Sequence, residues 1–272
     1  MKKHNKMICR ALTLTVTLFS LAALRLDPAF ANCADIATAI PGPASVFNAL
    51  SAALTAARSP AVGLNNHMWG TIVDRDGVVC AVAKTGAAGA QWPGSRVISA
   101  QKANTANAFS LPSTTAGFAA PLSTANLWAA TQPGGSLFGL QESNPVDTAV
   151  AYDGSSATWG TAADPLVGDK IGGVNVFGGG LALYSSAGTL LGGIGVSGDT
   201  SCADHIIAWR ARDTLDLDTV PGGVSPTGDD NIIFDITGSH GNFASKSGFG
   251  HPECGFGERP IAEALPTSDP IE

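Results

Sequence analysis

The chain of 272 residues has few charged side chains: Asp, Glu, Lys and Arg together make up 14% of it, against a usual share of roughly 25%. Lys and Arg number 15 and Asp and Glu 22, which gives a formal net charge of −7. This balance excludes a basic nucleic-acid-binding protein, because phosphate contacts need clustered Lys and Arg. Hydrophobic residues make up 44% of the chain, so disorder of the charge-rich, apolar-poor type is excluded as well.

The sequence also lacks an apolar run of the ~20 residues that span a bilayer. Its closest candidate, residues 11–24, follows a basic segment and precedes the small-x-small motif of Ala29, Phe30 and Ala31. That order is typical of a secretory signal peptide. We therefore predict that residues 1–31 are removed and that the mature protein is periplasmic or secreted. An uncleaved anchor is the alternative, because Arg25 and Asp27 are unusual before a cleavage site.

No CxxC motif is present, so the spacing typical of redox catalysis and of zinc ribbons is missing. The predicted mature chain keeps Cys33, Cys80, Cys202 and Cys254. An even number of cysteines in an oxidising compartment predicts two disulfides, and four cysteines allow three pairings. Our hypothesis is Cys33–Cys80 with Cys202–Cys254, because each bond would join a terminal segment to the core.

Apolar residues at helical spacing predict three helices, over residues 44–58, 95–110 and 202–215. In the third helix, Ser201 as N-cap with Asp204 three residues later resembles a capping box. Residues 113–173 are rich in Pro, Gly, Ser and Thr, and the tail from residue 238 onward is expected to be loop-like.

Two β-hairpins are predicted by alternating β-rich runs that flank turn residues. The first joins residues 67–73 to 78–83, and the second joins residues 181–184 to 189–196. Residues 232–236 resemble one further strand. Adjacent hairpins with few helices predict an α+β fold, in which helices flank an antiparallel sheet.

A glycine motif, G-x-G-x-x-G, covers residues 193–198 between a predicted strand and a predicted helix. In a dinucleotide-binding fold these glycines let a pyrophosphate approach the helix N-terminus. That fold needs parallel strands joined by a crossover helix, whereas the strand here belongs to a hairpin. We therefore interpret the motif as a tightly packed strand whose flat face is open to a helix or to a planar ligand.

Motifs of serine hydrolases are incomplete. Residues 99–102 match S-x-x-K and residues 84–86 match K-T-G, but in penicillin-recognising enzymes the K-T-G follows the nucleophile. We interpret Lys102 as a helix residue whose ammonium group lies near solvent. No nucleophile with a paired base is found, so we predict no catalytic residue, and an enzyme acting on a small metabolite is a third possibility for which the sequence offers no such pair.

Candidate metal and haem ligands are few. In the predicted mature chain, histidine ligands are limited to His67, His205, His240 and His251, and the weaker candidates are Met68, Tyr152 and Tyr184. His240 and His251 are expected to be solvated loop residues. His67 shares a predicted strand face with Trp69, and His205 lies in the first turns of a helix, where the dipole favours the neutral imidazole. We predict His67 and His205 as candidate iron ligands and Lys102 as a further cofactor-binding residue.

Five segments, in this order, carry a resemblance to one family: GTIVDRDG (70–77), ISAQKANTA (98–106), LFGL (137–140), VFGGGLAL (176–183) and GIGVSG (193–198). Over about residues 44–216 the chain resembles the GlcG/HbpS-type haem-binding proteins, a family also seen as the C-terminal domain of some corrinoid adenosyltransferases. The resemblance implies a profilin-like α+β fold, assembly into homo-oligomers and haem as the ligand. Residues 84–87 replace the Arg-rich segment expected after the second strand, so no axial ligand is transferred from the family.

On this resemblance, residues 32–220 form the family domain with an insertion at 144–173, and residues 221–272 form an extension that is mostly loop. The leading hypothesis is an exported protein that binds haem or a similar planar tetrapyrrole. The alternative is a non-catalytic, oligomeric interaction or sensor-accessory module without a small-molecule ligand. Neither hypothesis includes a nucleic acid, or a membrane once the signal peptide is cleaved.

Overall fold

A computed structural model describes residues 30–42, 45–112, 121–238 and 243–272. The predicted signal peptide, apart from Phe30 and Ala31, lies outside the described residues, as does His240. Within the described ranges, no helix is both long and apolar enough to cross a membrane.

The structure contains an α+β core with a long C-terminal extension. Its helices are α1 (Cys33–Ala39), α2 (Val46–Ala57), α3 (Ser95–Ala108), α4 (Trp128–Thr131), α5 (Leu140–Ser143), α6 (Thr148–Ala151), α7 (Ser201–Thr214) and α8 (Glu258–Ser268). Its strands are β1 (Trp69–Asp74), β2 (Val79–Lys84), β3 (Gly180–Tyr184), β4 (Leu190–Ser197), β5 (Ile236–Thr237) and β6 (Ala244–Ser245).

The four longer strands form one antiparallel sheet in the order β2-β1-β4-β3. Both predicted hairpins are present, and β1 lies at the centre, where Trp69 is paired with Lys84 on β2 and with Ser197 on β4. The predicted fold class, an antiparallel sheet flanked by helices, is therefore confirmed. The glycine motif is confirmed as the end of a strand, β4, that leads into α7.

The two faces of the sheet pack against different helices. Helices α2 and α7 cover one face, where Ile72 joins the main hydrophobic core. Helix α3 covers the other face, where Trp69 and Val73 pack with Val97 and with Leu166 of the predicted insertion. Because side chains alternate along β1, a single strand supplies residues to both cores.

Helix α3 lies unusually close to the sheet, and glycine is the reason. A Cβ atom on Gly195 would overlap the carbonyl oxygen of Ser99, and one on Gly193 would overlap that of Ala103. Neither glycine has a positive φ, so the requirement is space and not backbone conformation. The sequence left this flat face open to a helix or to a planar ligand, and α3 is what occupies it.

Both predicted disulfides are present. Cys33 of α1 is bonded to Cys80 of β2, and Cys202 of α7 is bonded to Cys254 in the extension. Each bond joins an end of the described chain to the sheet or to the helix that packs on it.

Two expectations about the C-terminal third are wrong. The tail is not loop-like throughout, because it contains α8. Pro260 and Pro266 obscured this helix, although a proline is tolerated in the first helical turn. Ile232 and Ile233 form no strand, since the Ile232 N–H donates to side chains of its neighbours and the Ile233 carbonyl accepts from the His251 N–H.

The start of α7 also differs from the prediction. Thr200, and not Ser201, is the N-cap, and its side chain accepts from the Ala203 N–H at 3.1 Å. Asp204 does not complete a capping box. Its Oδ1 accepts from the Asp199 N–H at 2.9 Å, and its other oxygen is directed toward α3.

Substituting Gly195→Ala tests the close approach of α3. We expect a loss of about 1–3 kcal/mol or more in the free energy of unfolding, because the new methyl group must push helix and strand apart. Urea denaturation measures the loss, and Gly94→Ala is the matched control, because its Cβ would meet nothing within 4 Å. Equal stability of the two variants would contradict this packing.

Candidate functional site

Lys102, predicted to lie near solvent, is fully buried. Its Nζ lies 2.6 Å from Asp204 Oδ2, donates to the Val196 carbonyl at 3.1 Å and lies 4.5 Å from the centre of the Phe177 ring. Burial lowers the pKa of Lys102 and raises that of Asp204 to about 6, and the opposite charge of each partner counteracts both shifts. Lys102 therefore joins α3 to α7 in an internal ion pair.

His205 is also fully buried. Its Nε2 lies 3.1 Å from Asn231 Oδ1 and 3.1 Å from the Ile232 nitrogen, whose N–H donates to it. Nδ1 has no hydrogen-bond partner among the described residues. Burial lowers the pKa of His205 to about 3, so the imidazole is neutral.

His251, expected to be solvated, is buried as well. Its Nδ1 lies 2.7 Å from the Pro252 carbonyl, and its Nε2 accepts from the Gly178 N–H at 3.4 Å. Burial lowers its pKa to about 4. Both ring nitrogens therefore form contacts inside the protein. The expectation of a solvated residue was wrong, because the sequence could not show that His251 packs under the start of β3.

The weaker ligand candidates are scattered. Met68 and Tyr184 are fully buried, and the Tyr184 hydroxyl donates to the Leu111 carbonyl at 3.3 Å. Tyr152 is exposed on the predicted insertion. These weaker candidates do not lie at one place, whereas His205 and His251 both lie beside Gly178, whose N–H donates to His251 and where an added Cβ would meet that of His205.

A cavity of about 410 Å³ opens at the edge of the sheet, between the end of β2, the β2–α3 loop and the predicted insertion. We call it the Trp69–Trp159 cavity. It is lined by Trp69, Lys84, Ala88, Gly89, Gln91, Pro93, Ser156, Ala157 and Trp159. A largely apolar and aromatic lining with a few polar groups is typical of a small-molecule site.

Lys84 is the charged residue of this lining. Its Nζ donates to the Trp159 carbonyl at 2.6 Å and lies 5.5 Å from the centre of the Trp69 ring. The Trp69 indole N–H donates to the Trp92 carbonyl at 3.0 Å, which fixes the ring. One of the three ammonium donors is used, so two remain for an anionic group.

His67 is half-buried and does not belong to the lining of this cavity. Its backbone forms a bridge with Gln91, which lines the cavity, and its Nδ1 lies 3.2 Å from Thr85 Oγ1. Thr85 Oγ1 also accepts from the Met68 N–H at 2.9 Å, which fixes the hydroxyl. Where Nδ1 carries the proton, the lone pair of Nε2 is directed away from this contact and is available as a ligand.

A buried ion pair attaches the predicted insertion to α3. The Arg96 guanidinium binds both carboxylate oxygens of Asp164 and donates to the Ala151 carbonyl at 3.0 Å. Its plane lies 4.4 Å from the centre of the Trp159 ring. Trp159 is thereby fixed as one wall of the cavity.

Sequence analysis missed most of this site. Trp159 and Lys84 were not selected, because they are 75 residues apart and only the tertiary fold joins them. The available signal was compositional: two tryptophans, Trp92 and Trp159, in loops of a chain that has five.

Three clusters of potential metal ligands lie within the described ranges. Cys202, His251 and Cys254 form one, and Cys33, Asp74 and Cys80 form another. In both, the sulfur atoms are consumed by a disulfide. The third cluster consists of carboxylates alone, at the far end of α7.

Comparison with known proteins gives one family. A family model described as "Haem degrading protein HbpS-like" matches residues 45–213, which is more than half of the chain. No curated protein matches the chain.

Among solved structures, the chain is similar to a PduOC–haem complex, with 23% identity, a TM-score of 0.42, and coverage of 62% of this chain and 91% of that one. It is similar to the protein ORFY of Klebsiella pneumoniae, with 22% identity, a TM-score of 0.41, and coverage of 64% and 93%. It is also similar to HbpS, with 16% identity, a TM-score of 0.38, and coverage of 64% of this chain and 92% of that one.

Replacing Lys102 tests its structural role. We expect Lys102→Met to lower the free energy of unfolding by about 3–5 kcal/mol, because it leaves the Asp204 carboxylate buried without a partner. The double variant Lys102→Met/Asp204→Leu should recover most of that loss, since no buried charge then remains. Urea denaturation measures both, with the exposed Lys246→Met as control. A double variant no more stable than the single one would contradict the ion-pair interpretation.

The buried histidines predict a pH dependence. In the unfolded chain the pKa of a histidine is near 6.5, whereas His251 in the folded protein has a pKa of about 4. The unfolded state therefore binds more protons between these values. The contribution of neutral His251 to the free energy of unfolding is fully present above pH 6.5, and it is lost as the pH decreases toward 4. We expect His251→Asn to reduce the stability difference between pH 7 and pH 5 by about 2 kcal/mol. If the parent protein and His251→Asn have identical pH profiles of unfolding, the pKa of His251 is not lowered in the folded state.

Proposed function

We propose, from the premise that this chain belongs to the HbpS-like family of haem-degrading proteins, that it binds haem or a similar planar tetrapyrrole in the Trp69–Trp159 cavity. The observation that carries the proposal is the composition of that cavity. Two indole rings and one lysine ammonium line it, and the backbone of the half-buried His67 is paired with that of Gln91 in its lining.

The residues present fit such a group at this cavity and not on the glycine-rich face. That face is filled by α3, whose backbone lies where any Cβ on Gly193 or Gly195 would stand. At the cavity, the indoles of Trp69 and Trp159 offer apolar contact to a planar ring. The Lys84 ammonium offers a partner to a carboxylate of the ligand. Haem, when bound, supplies an iron centre with axial coordination positions.

Of the three cofactor-binding residues predicted from sequence, we retain His67 as the residue that would bind the iron. Lys102 donates within a buried ion pair, and the Nε2 of His205 is bonded to Asn231. Thr85 holds the His67 ring through Nδ1, and such a contact orients a histidine that binds metal through its other nitrogen.

The proposal is for binding and not for turnover. The composition of the cavity supports the binding of a planar ligand, and no residue of its lining is assigned a step in a reaction. Haem degradation, which the family description names, is therefore not assigned to this chain.

Export and self-association belong to the same proposal. The two disulfides support an oxidising compartment, periplasmic or extracellular. A homo-oligomer is expected from the family resemblance, and size-exclusion chromatography with light scattering tests it. A monomer at all concentrations would remove self-association from the proposal without affecting ligand binding.

Titration of the purified mature protein with hemin tests the binding. We expect a saturable shift of the Soret band, because coordination by His67 changes the ligand field of the iron. His67→Ala should alter the ferric spectrum, and Lys84→Ala should weaken binding severalfold while leaving the spectrum unchanged. Lys246→Ala is the matched control for Lys84, because it removes an exposed ammonium far along the chain in the extension.

The absence of saturable binding would overturn the proposal as a whole. Saturable binding with an unchanged spectrum in His67→Ala would overturn the role of His67 alone. In that case His205→Gln, with circular dichroism to verify folding, tests the other histidine predicted from sequence.

A further inference from the structure

Five carboxylates gather at the C-terminal end of α7, far from the Trp69–Trp159 cavity. They are Asp213, Asp216, Asp218, Asp269 and Glu272. Carboxylate oxygens of Asp216, Asp218 and Glu272 all lie within 4.8 Å of one another. The negative end of the helix dipole adds to this charge.

The fold holds this cluster together from two sides. On one side α7 ends at Thr214, and Asp216 turns the chain with a φ of 57° before Asp218 pairs with the end of β3. On the other side the segment after α8 returns along α7, where the Trp209 indole N–H donates to the Asp269 carbonyl at 2.8 Å. Ile271 then packs against the buried residues beside β3 and places Glu272 next to the helix end.

Asp218 is the unusual member of the cluster. Its side chain is 2% exposed, and its Oδ2 has no hydrogen-bond partner in the described part of the chain. Burial, together with the charges of Asp213 and Glu272, raises the pKa of Asp218 to about 6, although the charge of Arg212 counteracts the shift. A buried carboxylate oxygen without a partner is costly, and each one in a native protein needs an explanation.

The nearby cation does not supply that partner. Arg212 is fully buried, and its guanidinium binds both oxygens of Asp230, at 2.7 and 2.8 Å, and the Ala182 carbonyl at 3.1 Å. The charge of Arg212 lowers the pKa of Asp218 without a hydrogen bond between the two side chains. Asp230 already balances that charge. Tyr184, the other titratable group that faces this region, is held in its neutral form because burial raises its pKa.

We propose that Asp216, Asp218 and Glu272 bind a divalent cation, and that Ca²⁺ is the ion this set of ligands suits. All three ligands are carboxylates, which are hard oxygen donors. Ca²⁺ accepts six to eight oxygens in flexible geometry, so waters can complete a shell to which loop residues and the tail contribute. Mg²⁺ demands a near-ideal octahedron, which residues on two separate segments supply less readily.

The site would couple the extension to the core. Glu272 belongs to the returning tail, whereas Asp216 and Asp218 belong to the connection that follows α7. A cation shared among them fastens the tail to α7 and offsets the repulsion among five carboxylates. Binding to the folded state alone then raises its stability by mass action.

Calcium titration of the full mature protein, after removal of metal with EDTA, tests the site. Isothermal titration calorimetry should show one saturable site per chain, and the temperature of unfolding should rise with added Ca²⁺. Mg²⁺ at equal concentration should give a smaller rise.

Two variants and a control complete the test. Asp218→Asn should weaken Ca²⁺ binding at least tenfold without lowering the unfolding temperature of the metal-free protein, since an uncompensated charge is removed. Glu272 is exposed, so the substitution Glu272→Gln should not affect folding. This variant should also bind Ca²⁺ more weakly. Asp169→Asn, an exposed aspartate elsewhere, should bind as the parent protein does.

The outcomes that overturn the proposal are distinct. No saturable Ca²⁺ binding at millimolar concentration would overturn the site. Unchanged affinity in both Asp218→Asn and Glu272→Gln would show that the ion binds elsewhere. Equal affinity for Mg²⁺ would overturn the assignment to Ca²⁺.

Discussion

The buried ion pair between Lys102 and Asp204 is the constraint on which the arrangement of this fold depends. It joins α3 to α7 across the end of β4, and its ammonium group also binds the Val196 carbonyl. A Cβ on Gly179 would lie 2.9 Å from Lys102 Nζ, so a glycine is needed beside the pair. The glycine-rich strands and the ion pair therefore depend on each other. Without Cβ atoms on these strands, α3 packs close enough to the sheet for Lys102 to reach Asp204.

The close packing of α3 determines where a ligand can bind. Since the helix backbone occupies the flat face of the sheet, the open surface lies at the edge of β2. There the predicted insertion forms the second wall, attached to α3 by Arg96 and Asp164. The cavity thus has one wall from the sheet and the other from the predicted insertion.

The C-terminal extension is part of the folded unit and not an appended tail. His251 fits beneath the start of β3, Cys254 is bonded to α7, and Leu265 of α8 is buried in the main core. This packing requires neutral histidines, which ties the stability of the region to pH. It also returns acidic residues to the end of α7, where their charges need a counterion.

Although the sequence left three cysteine pairings open, it predicted the two hairpins and the helices that became α2, α3 and α7. These features depend on alternation, helical periodicity and turn residues, which act over short stretches of chain. Other features were decided only by the tertiary structure: the depth of Lys102, the presence of α8, the neutral state of His251 and the cavity between Trp69 and Trp159. Lys102 finds its carboxylate 102 residues away, and no local pattern encodes the burial of a charge whose partner is that distant.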